Sequence, residues 1–339
     1  MQKAEIIYQG KSYRPDQLTE LPSDYPERNA LLEAIRIWEE KEDLTISTSG
    51  STGTPKTIHH PHEAVVSSIE DTAAYFGLKL GQSALCALPF DKIAGRLMLY
   101  RALHIGLKLE IREPSSTPVS SEDHFDFVPL TPHQVLSCLE KDPRSLDEIG
   151  TLIIGGAAVS SELETKLQAL KVRSFETYGM TETITHIAAR RIYPDPNTFF
   201  EALPGVKLNS EEGRLIIEAN RLQSPLHTTD IVEMDGANRF RWLGRADNVV
   251  NSGGIKLHPE LLENELASII DAPFYLVGTP DPVLGEKLIA VIEGDEKDDG
   301  LLASIRNILP SHSSPKEIIY LKELKRTNNG KIIRINPNA

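Results

Sequence analysis

The chain has 339 residues, of which 40% are hydrophobic and 25% are charged, and its formal net charge is −13. This length predicts about two domains, and the composition is ordinary for a globular protein. The negative charge argues against nonspecific binding to nucleic acids and to anionic membrane surfaces. Cys86 and Cys138 lie in apolar surroundings, which favours a reduced protein without a disulfide framework. The N-terminus lacks the apolar segment of a signal peptide, and no run approaches the roughly 18 apolar residues of a membrane helix, so we expect a cytoplasmic protein.

The first predicted elements alternate between helices and strands. Residues 29–40 have apolar positions at helical spacing. After them we predict strands at 84–90, 107–113, 125–130, 151–155 and 172–179, and helices at 94–106, from Pro132 to about Glu140, and after a cap at Ser160 or Ser161. This alternation predicts an α/β fold in which helices cover a sheet.

The pattern changes after about residue 187. It becomes strand-rich, with strands predicted at 186–192, 213–219 and 239–244, as in a smaller β-rich subdomain. From Gly254 a compact α+β module follows, in which we predict helices at 258–270 and near residue 302, and strands at 274–280 and 288–294. A polar, Gly-rich stretch at 244–254 separates the two parts, so we place one domain at 1–246 and a second at 247–339.

Residues 45–60, "TISTSGSTGTPKTIHH", look like a phosphate-binding loop. The P-loop of ATPases needs Gly directly before its Lys, because glycine lets the backbone curl around a phosphate. Here Pro55 precedes Lys56, and proline removes one N–H donor of that cradle. The hydroxyls, amides and lysine of this loop would instead grip a pyrophosphate loosely enough to release it. A flexible surface loop is the alternative interpretation.

Three further segments carry groups that suit a nucleotide. In "YGMTET", Tyr178 can stack on a purine and Glu182 can hold Mg²⁺. In "HTTDIVEM", Asp230 can accept hydrogen bonds from two ribose hydroxyls. In "RTNNGKIIR", Lys331 is a candidate catalyst on a Gly-rich turn. Each segment also has a purely structural interpretation. "YGMTET" can be a turn at the end of a strand, Asp230 can be a turn residue, and Lys331 can be a solvated charge.

The segment "HHPH" suggests a metal site at His59, His60 and His62. However, no Cys or carboxylate cluster accompanies these histidines at ligand spacing. A loop-to-helix transition with Pro61 and His62 near the N-cap is the plainer interpretation.

Taken in this order, the motifs resemble those of the adenylate-forming superfamily, which comprises acyl- and aryl-CoA ligases, peptide-synthetase adenylation domains and luciferases. The matching segments are "TSGSTGTPK", "YGMTE", "GRADNVVNSGGIKLHPELLE", "GTPDPVLGE" and "RTNNGKIIR", within about residues 44–334. The family has Pro where an ATPase has Gly, as at Pro55. The resemblance implies the α/β adenylate-forming ligase fold, with a large N-terminal α/β domain that is shortened at its N-terminus and includes a β-rich subdomain, and a small α+β C-terminal domain.

The resemblance also implies roles for individual residues. Lys331, Thr181 and Glu182 would be catalytic, with Glu182 holding Mg²⁺, and Asp247 would lie at the hinge of a mobile C-terminal domain. The residues implied in binding ATP are Thr48, Ser49, Gly50, Ser51, Thr52, Gly53, Lys56, Gly155, Gly156, Ala157, Tyr178, Gly179, Asp230, Arg245 and Lys256. The chain departs from the family at residues 228–230, where Thr-Thr-Asp replaces the usual Thr-Gly-Asp, so we expect that turn to differ.

The reaction implied by the resemblance has two steps. A carboxylate attacks the α-phosphate of ATP to give an acyl-adenylate and pyrophosphate, and a thiol then displaces AMP. The short length, "FRWLGRADNVVNSGG" and "DKIAG" resemble compact o-succinylbenzoate–CoA ligases of menaquinone biosynthesis, which implies coenzyme A as co-substrate. Lys92 and Arg96, four residues apart on a predicted helix, would neutralise the second carboxylate of such an acid, although a solvated charged face explains the spacing equally well.

Several alternatives stay open from the sequence. The acid can be another aryl or short acyl acid, and the thiol can belong to a carrier protein. A non-catalytic nucleotide-binding protein is the alternative from another class, but the joint presence of Lys56, Glu182, Asp230, Arg245 and Lys331 argues against it. A reduced N-terminal part would leave apolar surface that a homodimer covers.

Overall fold

The computed structural model of the protein describes residues 4–48, 56–295, 300–326 and 332–337. Its first part consists of β1 (Glu5–Tyr8), β2 (Lys11–Tyr13), α1 (Arg28–Glu39), β3 (Leu44–Thr48), β4 (Lys56–His60), α2 (His62–Phe76), β5 (Ser83–Cys86), α3 (Ile93–Ile105) and β6 (Lys108–Ile111). Strands β1, β6 and β5 pair in parallel, and β2 adds an antiparallel edge, in the order β2-β1-β6-β5. Strands β3 and β4 form a separate antiparallel hairpin.

Helix α3 is the most buried helix of this part. Residues 95–102 are buried without interruption, so every side of this segment faces other parts of the protein, and two of the buried residues are arginines, Arg96 and Arg101. The helix ends at Gly106, whose φ of 83° is left-handed and costs glycine little. This confirms the end that the sequence predicts.

The middle part of the chain builds the largest sheet. It contains β7 (Val128–Leu130), α4 (Pro132–Lys141), β8 (Leu152–Ile154), α5 (Ser161–Leu170), β9 (Ser174–Gly179), β10 (His186–Tyr193), β11 (Phe200–Ala202), β12 (Val206–Glu211), β13 (Arg214–Ala219), β14 (Leu226–Met234) and β15 (Arg239–Arg245). The strand order is β12-β13-β14-β15-β11-β10-β9-β8-β7. Strands β7, β8 and β9 are parallel, and the remaining pairs are antiparallel. Ser160 caps α5 by accepting a hydrogen bond from the Leu163 amide, as predicted.

The last part forms a sheet of its own. Its elements are β16 (Val250–Ser252), β17 (Ile255–Leu257), α6 (Pro259–Leu266), β18 (Phe274–Asp281), β19 (Gly285–Glu293), α7 (Leu301–Ile308) and β20 (Glu317–Leu321). The order is β17-β16-β19-β18, with β20 parallel to β19. Its buried residues, such as Val250, Leu276 and Ile305, cluster with one another. The α/β class and the sheet-rich larger part are confirmed, whereas the boundary between 246 and 247 stays a prediction.

Several elements are shorter than predicted. Strand β5 ends at Cys86 instead of residue 90, because residues 87–90 leave the sheet to cross the first turn of α3. The crossing is so close that a Cβ on Gly95 would lie 2.3 Å from the Pro89 carbonyl oxygen. Helix α6 ends at Leu266, four residues before the predicted end. Within the described ranges, no helix has the length and apolar character needed to cross a membrane.

Candidate active site

Asp230 lies at the centre of a group of donors on the largest sheet. Its Oδ2 accepts a hydrogen bond from the Tyr178 hydroxyl at 2.5 Å, and its Oδ1 accepts one from Trp242 Nε1 at 3.2 Å. Arg245 faces Asp230 across the β14–β15 pair, with its Nε 3.6 Å from Oδ1. Burial and the neighbouring Asp230 carboxylate raise the pKa of Tyr178, so the phenol keeps its proton and acts as a donor.

Residues 228–230, where we expect the chain to differ from the family, form no turn. Asp230 lies inside β14, which runs without a break from Leu226 to Met234. Thr228 explains the difference, because its hydroxyl donates to the Leu215 carbonyl oxygen of β13 at 2.9 Å and accepts from the Asp230 amide at 3.1 Å. A β-branched Thr also suits an extended strand better than the Gly of the usual motif.

The rings of Phe200 and Phe240 pack against the ring of Tyr178. Its ring meets that of Phe240 edge to face, with centroids 5.0 Å apart, and lies 5.9 Å from that of Phe200. Phe200 and Phe240 stack on each other at 5.4 Å. These contacts restrict the ring of Tyr178, so it can present a fixed face to a planar ligand.

The loop of Gly155, Gly156 and Ala157 begins where β8 ends. Because β8 and β9 are parallel, this loop and Tyr178 lie at the same edge of the sheet, where ligands of open α/β sheets bind. A Cβ on Gly155 would lie 2.6 Å from Thr177 Oγ1, and Gly156 has a φ of +89°. Both positions therefore need glycine, and the exposed backbone of the loop can approach a ligand closely.

Thr181 and Glu182 lie on a single 3-10 turn, Thr181–Thr183, between β9 and β10. The Glu182 side chain is exposed, and Gly179 lets the turn close, since a Cβ there would lie 2.4 Å from the Cα of His186. Ile184 has a φ of 70°, which is strained for a β-branched residue. Strain of this kind is typical of functional turns.

His60, which the sequence analysis considered only as part of a metal site, joins this turn to the β3–β4 hairpin. His60 is buried, and its Nε2 lies 2.7 Å from the Thr181 carbonyl oxygen. A carbonyl only accepts, so Nε2 carries the proton, and burial lowers the pKa of His60. Lys56 is exposed at the start of β4, opposite Thr48. The predicted phosphate-loop residues Ser49, Gly50, Ser51, Thr52 and Gly53 lie outside the described residues.

The predicted site residues of the last part are spread over separate elements. Asp247 is exposed on the turn Ala246–Asn248, and Lys256 is exposed on β17. Lys331 lies outside the described residues. Three positions after it, Arg334 forms a bidentate ion pair with Glu263 of α6. The Nη1 of Arg334 also donates to the Leu276 carbonyl oxygen at 3.0 Å. These contacts fix the chain close behind Lys331.

The family model described as AMP-binding enzyme matches residues 3–213. The chain belongs to the AMP-binding enzyme family. The resemblance to adenylate-forming enzymes is therefore confirmed.

Individual members of the AMP-binding enzyme family give the same picture. A 2-succinylbenzoate–CoA ligase of Listeria monocytogenes is 26% identical over 89% of this chain and 71% of that protein. A solved acyl-CoA synthetase (AMP-forming)/AMP-acid ligase II-like protein from Dyadobacter fermentans is 31% identical, with a TM-score of 0.64, and the match covers 94% of this chain and 95% of that one. An o-succinylbenzoate–CoA synthetase from Bacillus subtilis has the same fold, with a TM-score of 0.74 at 20% identity over 86% of this chain and 67% of that one.

In this AMP-binding enzyme, the two cations predicted to share a helical face have different surroundings. Lys92 precedes the first helical residue with an extended backbone, so helical spacing does not relate it to Arg96. The Lys92 ammonium is exposed and lies 2.9 Å from Asp91 Oδ2. Arg96 is buried, and its Nε donates to the Phe90 carbonyl oxygen at 3.0 Å. The prediction of one cationic face is wrong, whereas a role of either residue in substrate binding stays a prediction.

The second arginine of α3, which the sequence did not indicate, is the more unusual cation. Arg101 is buried, its Nη2 donates to Thr185 Oγ1 at 3.2 Å, and its Nη1 lies 3.4 Å from Met98 Sδ. Burial lowers the pKa of Arg101 to about 10. Among the residues that the structure describes, none forms an ion pair with it, and its Nε is buried without a hydrogen-bond partner. An arginine inside the apolar run "LMLYRALHI" was the available sequence clue.

Proposed function

We propose that the protein is an AMP-forming acid–thiol ligase, and that its acid is o-succinylbenzoate and its thiol coenzyme A. The observation that carries the proposal is the donor group around Asp230, at the same sheet edge as the Gly155–Ala157 loop and close in the chain to the Glu182 turn. This arrangement offers an acceptor, an aromatic face, exposed backbone and the exposed carboxylate of Glu182, which together suit a nucleotide. Membership of the AMP-binding enzyme family supports the choice of ATP.

In the proposed reaction, each residue of the site acts on a defined part of ATP. Asp230 accepts from the ribose hydroxyls, and Arg245 stands beside it. Tyr178 and the loop of Gly155, Gly156 and Ala157 flank the adenine. Thr181 bonds a phosphate oxygen. Lys256 is assigned to nucleotide binding from the family motif alone.

Glu182 is the carboxylate proposed to hold Mg²⁺. It is exposed on its turn, and no group of three or more metal-ligating side chains occurs in the described parts of the chain. A single carboxylate together with phosphate oxygens is the usual manner of binding Mg²⁺ with a nucleotide. The bound ion would offset phosphate charge, since the acid, ATP and the transition state are all anionic.

Lys56 and Lys331 would supply positive charge to the anionic phosphates and the acid. Lys56 and the loop of residues 48–53 would hold the departing pyrophosphate, and Lys331 would approach the attacking carboxylate and the α-phosphate. The thiol step would follow after the C-terminal part turns about Asp247, as such hinges absorb backbone changes at a few residues. The domains 1–246 and 247–339 are part of this proposal.

Arg101 supports an acid with two carboxylates. A buried cation is stable only when an anion or several acceptors satisfy it, and Arg101 bonds one hydroxyl and a thioether in the described structure. Its hydrogen-bond partner Thr185 is three residues after Glu182 in the chain. An acid that is activated at one carboxylate and keeps the other would supply the missing anion, and o-succinylbenzoate has this chemistry. The related ligase of Listeria monocytogenes acts on 2-succinylbenzoate by its name.

The test is ATP–pyrophosphate exchange with a panel of acids, followed by AMP release with coenzyme A. We expect the fastest exchange with o-succinylbenzoate and slower exchange with its spectator-carboxyl methyl ester. In Arg101→Met, the preference for the free diacid over this ester should fall by about 10- to 100-fold, the range of one charge-assisted hydrogen bond. Exchange with another aryl or short acyl acid would replace the substrate assignment, and exchange with no acid would favour a non-catalytic nucleotide-binding protein.

The matched control is Arg112→Met. Arg112 also pairs with carboxylates, Glu110 and Asp123, but it lies after β6 and outside the proposed site. We expect its preference between diacid and ester to equal that of the unaltered protein. The cytoplasmic location, the absence of nucleic-acid and membrane partners, and a homodimer stay predictions from the sequence.

A further inference from the structure

Arg190 on β10 lies between two carboxylates. Its Nε donates to Glu176 Oε2 at 2.5 Å, and its Nη2 donates to Glu164 Oε2 at 2.9 Å. The exposed fraction of the side chain is 12% for Arg190, 8% for Glu176 and 24% for Glu164. The three groups form a buried ion-pair cluster, in which loss of one partner leaves a charge without compensation.

The cluster connects the two walls of the proposed adenine pocket. Glu176 Oε1 accepts from the Val159 amide at 2.9 Å, which fixes the far end of the loop that begins at Gly155. Glu164 lies on α5, the helix that this loop enters. On the other side, the Arg190 guanidinium lies 6.0 Å from the ring centroid of Phe200, which in turn contacts the ring of Tyr178. One side chain thus contacts supports of both the loop and the aromatic ring.

We infer that Arg190 and Glu176 are positioning residues, which set the separation between the Gly155–Ala157 loop and Tyr178 and thereby the fit of the purine base. The inference rests on the proposed function, because it takes these two elements as the adenine pocket. Neither residue has to touch the nucleotide. Glu176 is only two residues before Tyr178 in β9, so its side chain and that of Tyr178 leave the same face of the strand, which couples the two positions directly.

The geometry has a definite consequence for selectivity. A guanidinium can bond two carboxylates at once with a fixed angle between its donors, whereas a lysine ammonium provides a point charge without that angle. Arg190→Lys therefore keeps the charge and loosens the spacing. We expect the KM for ATP to rise about 10-fold and the ratio of kcat/KM for ATP over GTP to fall by a similar factor, because binding energy drops by about one hydrogen bond. The KM for the acid should change less than about 2-fold on the same reasoning, since no bond to it is lost.

The control is Arg112→Lys, because Arg112 also bridges two carboxylates and also lies near an aromatic ring, 5.5 Å from the Phe125 centroid. This variant should lose a comparable amount of stability without a change in the ATP-to-GTP ratio. If Arg190→Lys matches the control in that ratio, the positioning role is wrong. If Arg190→Lys does not fold, Glu164→Gln replaces it. Glu164 is the more exposed carboxylate of the cluster, so we expect a smaller drop in the ATP-to-GTP ratio.

Failure of the inference and failure of the proposed function give different results. The unaltered protein is first tested for ATP–pyrophosphate exchange. Exchange in the unaltered protein, together with an ATP-to-GTP ratio that the Arg190 variant does not change, refutes the positioning role and leaves the function standing. No ATP binding in the unaltered protein overturns both.

Discussion

Nε2 of His60 lies 2.7 Å from the carbonyl oxygen of Thr181, which is 121 residues later in the chain. The contact joins the end of the hairpin β3–β4 to the turn that carries Thr181 and Glu182. The two elements proposed to hold the phosphates of ATP are therefore linked by one buried hydrogen bond. Neither a metal site nor a helix cap is needed to explain this histidine.

His60→Ala should weaken both folding and ATP use. The change leaves the Thr181 carbonyl without its buried partner, so we expect the free energy of unfolding to fall by about 1–3 kcal/mol. The KM for ATP should rise, because the turn and the hairpin lose their connection. Urea unfolding and pyrophosphate exchange measure the two effects. His59→Ala is the control, since the exposed His59 bonds Thr45 Oγ1 and not the turn; equal effects of both variants would contradict the linking role.

Asp230→Asn tests the ribose assignment. Asn has the same size but one acceptor oxygen and no charge, so we expect kcat/KM for ATP to fall about 10- to 100-fold, as for a lost charge-assisted hydrogen bond. The loss should be smaller for 2′-deoxy-ATP, which lacks one hydroxyl. Tyr178→Phe removes a donor to Asp230 and leaves both carboxylate oxygens, so it should reduce activity less. A uniform loss with ATP and 2′-deoxy-ATP would rule out ribose as the partner of Asp230.

Lys331→Ala should separate the two half-reactions. Acyl-adenylate formation should slow about 10²- to 10³-fold, the effect of removing one preorganised donor to a developing charge. Thioester formation from supplied acyl-adenylate should slow much less, because AMP is then already the leaving group. Rapid-quench assays of each step provide the measurement, and Lys322→Ala, at an exposed position of the same region, is the control. Equal impairment of both steps would argue against a lysine that acts in the first step alone.

Gly244→Ala should destabilise the contact between β15 and α6. A Cβ at this position would lie 2.5 Å from Glu260 Oε2, and the φ of Gly244 is 142°, which L side chains rarely adopt. We expect a loss of about 1–3 kcal/mol in the free energy of unfolding. When Gly244→Ala is combined with Glu260→Ala, the clash disappears and only the cost of the unfavourable backbone conformation at residue 244 remains. A double-mutant cycle by urea unfolding measures the difference, and additive effects would show that Glu260 does not meet this position.

The stability of the protein should fall at mildly acidic pH, partly through His186. This imidazole is buried between Thr72 and Thr185, and burial, followed by the charges of Arg101 and Arg221, lowers its pKa well below the ordinary value. In the unfolded chain His186 takes up a proton near pH 6.5, whereas in the folded protein it stays neutral to lower pH. Its contribution is therefore complete above about pH 6.5 and is lost as the pH falls towards the folded pKa, by up to about 1.4 kcal/mol per pH unit.

His186→Gln removes the imidazole, and with it the proton uptake that makes the free energy of unfolding depend on pH. Unfolding in urea from pH 8 to pH 5 should show a slope that is shallower by up to one proton in the variant below about pH 6.5. Above pH 7.5 the two stability curves should run parallel, which serves as the internal control. His60 has a lowered pKa as well, so the variant keeps part of the slope. An unchanged slope would mean that His186 is protonated in the folded protein.

Local patterns predicted most of the helices and about half of the strands that the structure describes. The end of α3 at Gly106 and the cap of α5 at Ser160 follow from backbone preferences that act over a few residues. Strand β20 was not predicted, since its pairing with β19 depends on residues distant in sequence. The early end of β5 depends on the close crossing at Gly95, which is a tertiary contact as well.

The site residues divide in the same way, into those that a local motif predicts and those that only the folded chain brings together. Tyr178 and Asp230 were identified through a motif, and their direct hydrogen bond is visible only in the folded chain. Arg101 was overlooked because spacing favoured Lys92 and Arg96, and whether an arginine has a carboxylate partner cannot be read from its neighbours in sequence. The link between His60 and Thr181 joins residues 121 positions apart, beyond any local pattern.

The indole of Trp242 shares a carboxylate with Tyr178, which gives the protein a built-in optical probe. The chain has two tryptophans, and the other one, Trp38, stacks on Tyr100 in a different sheet region. A molecule that takes over Asp230 would change the polarity next to one emitter and leave the second as an internal reference. Occupancy can thus be followed by intrinsic fluorescence, without a label.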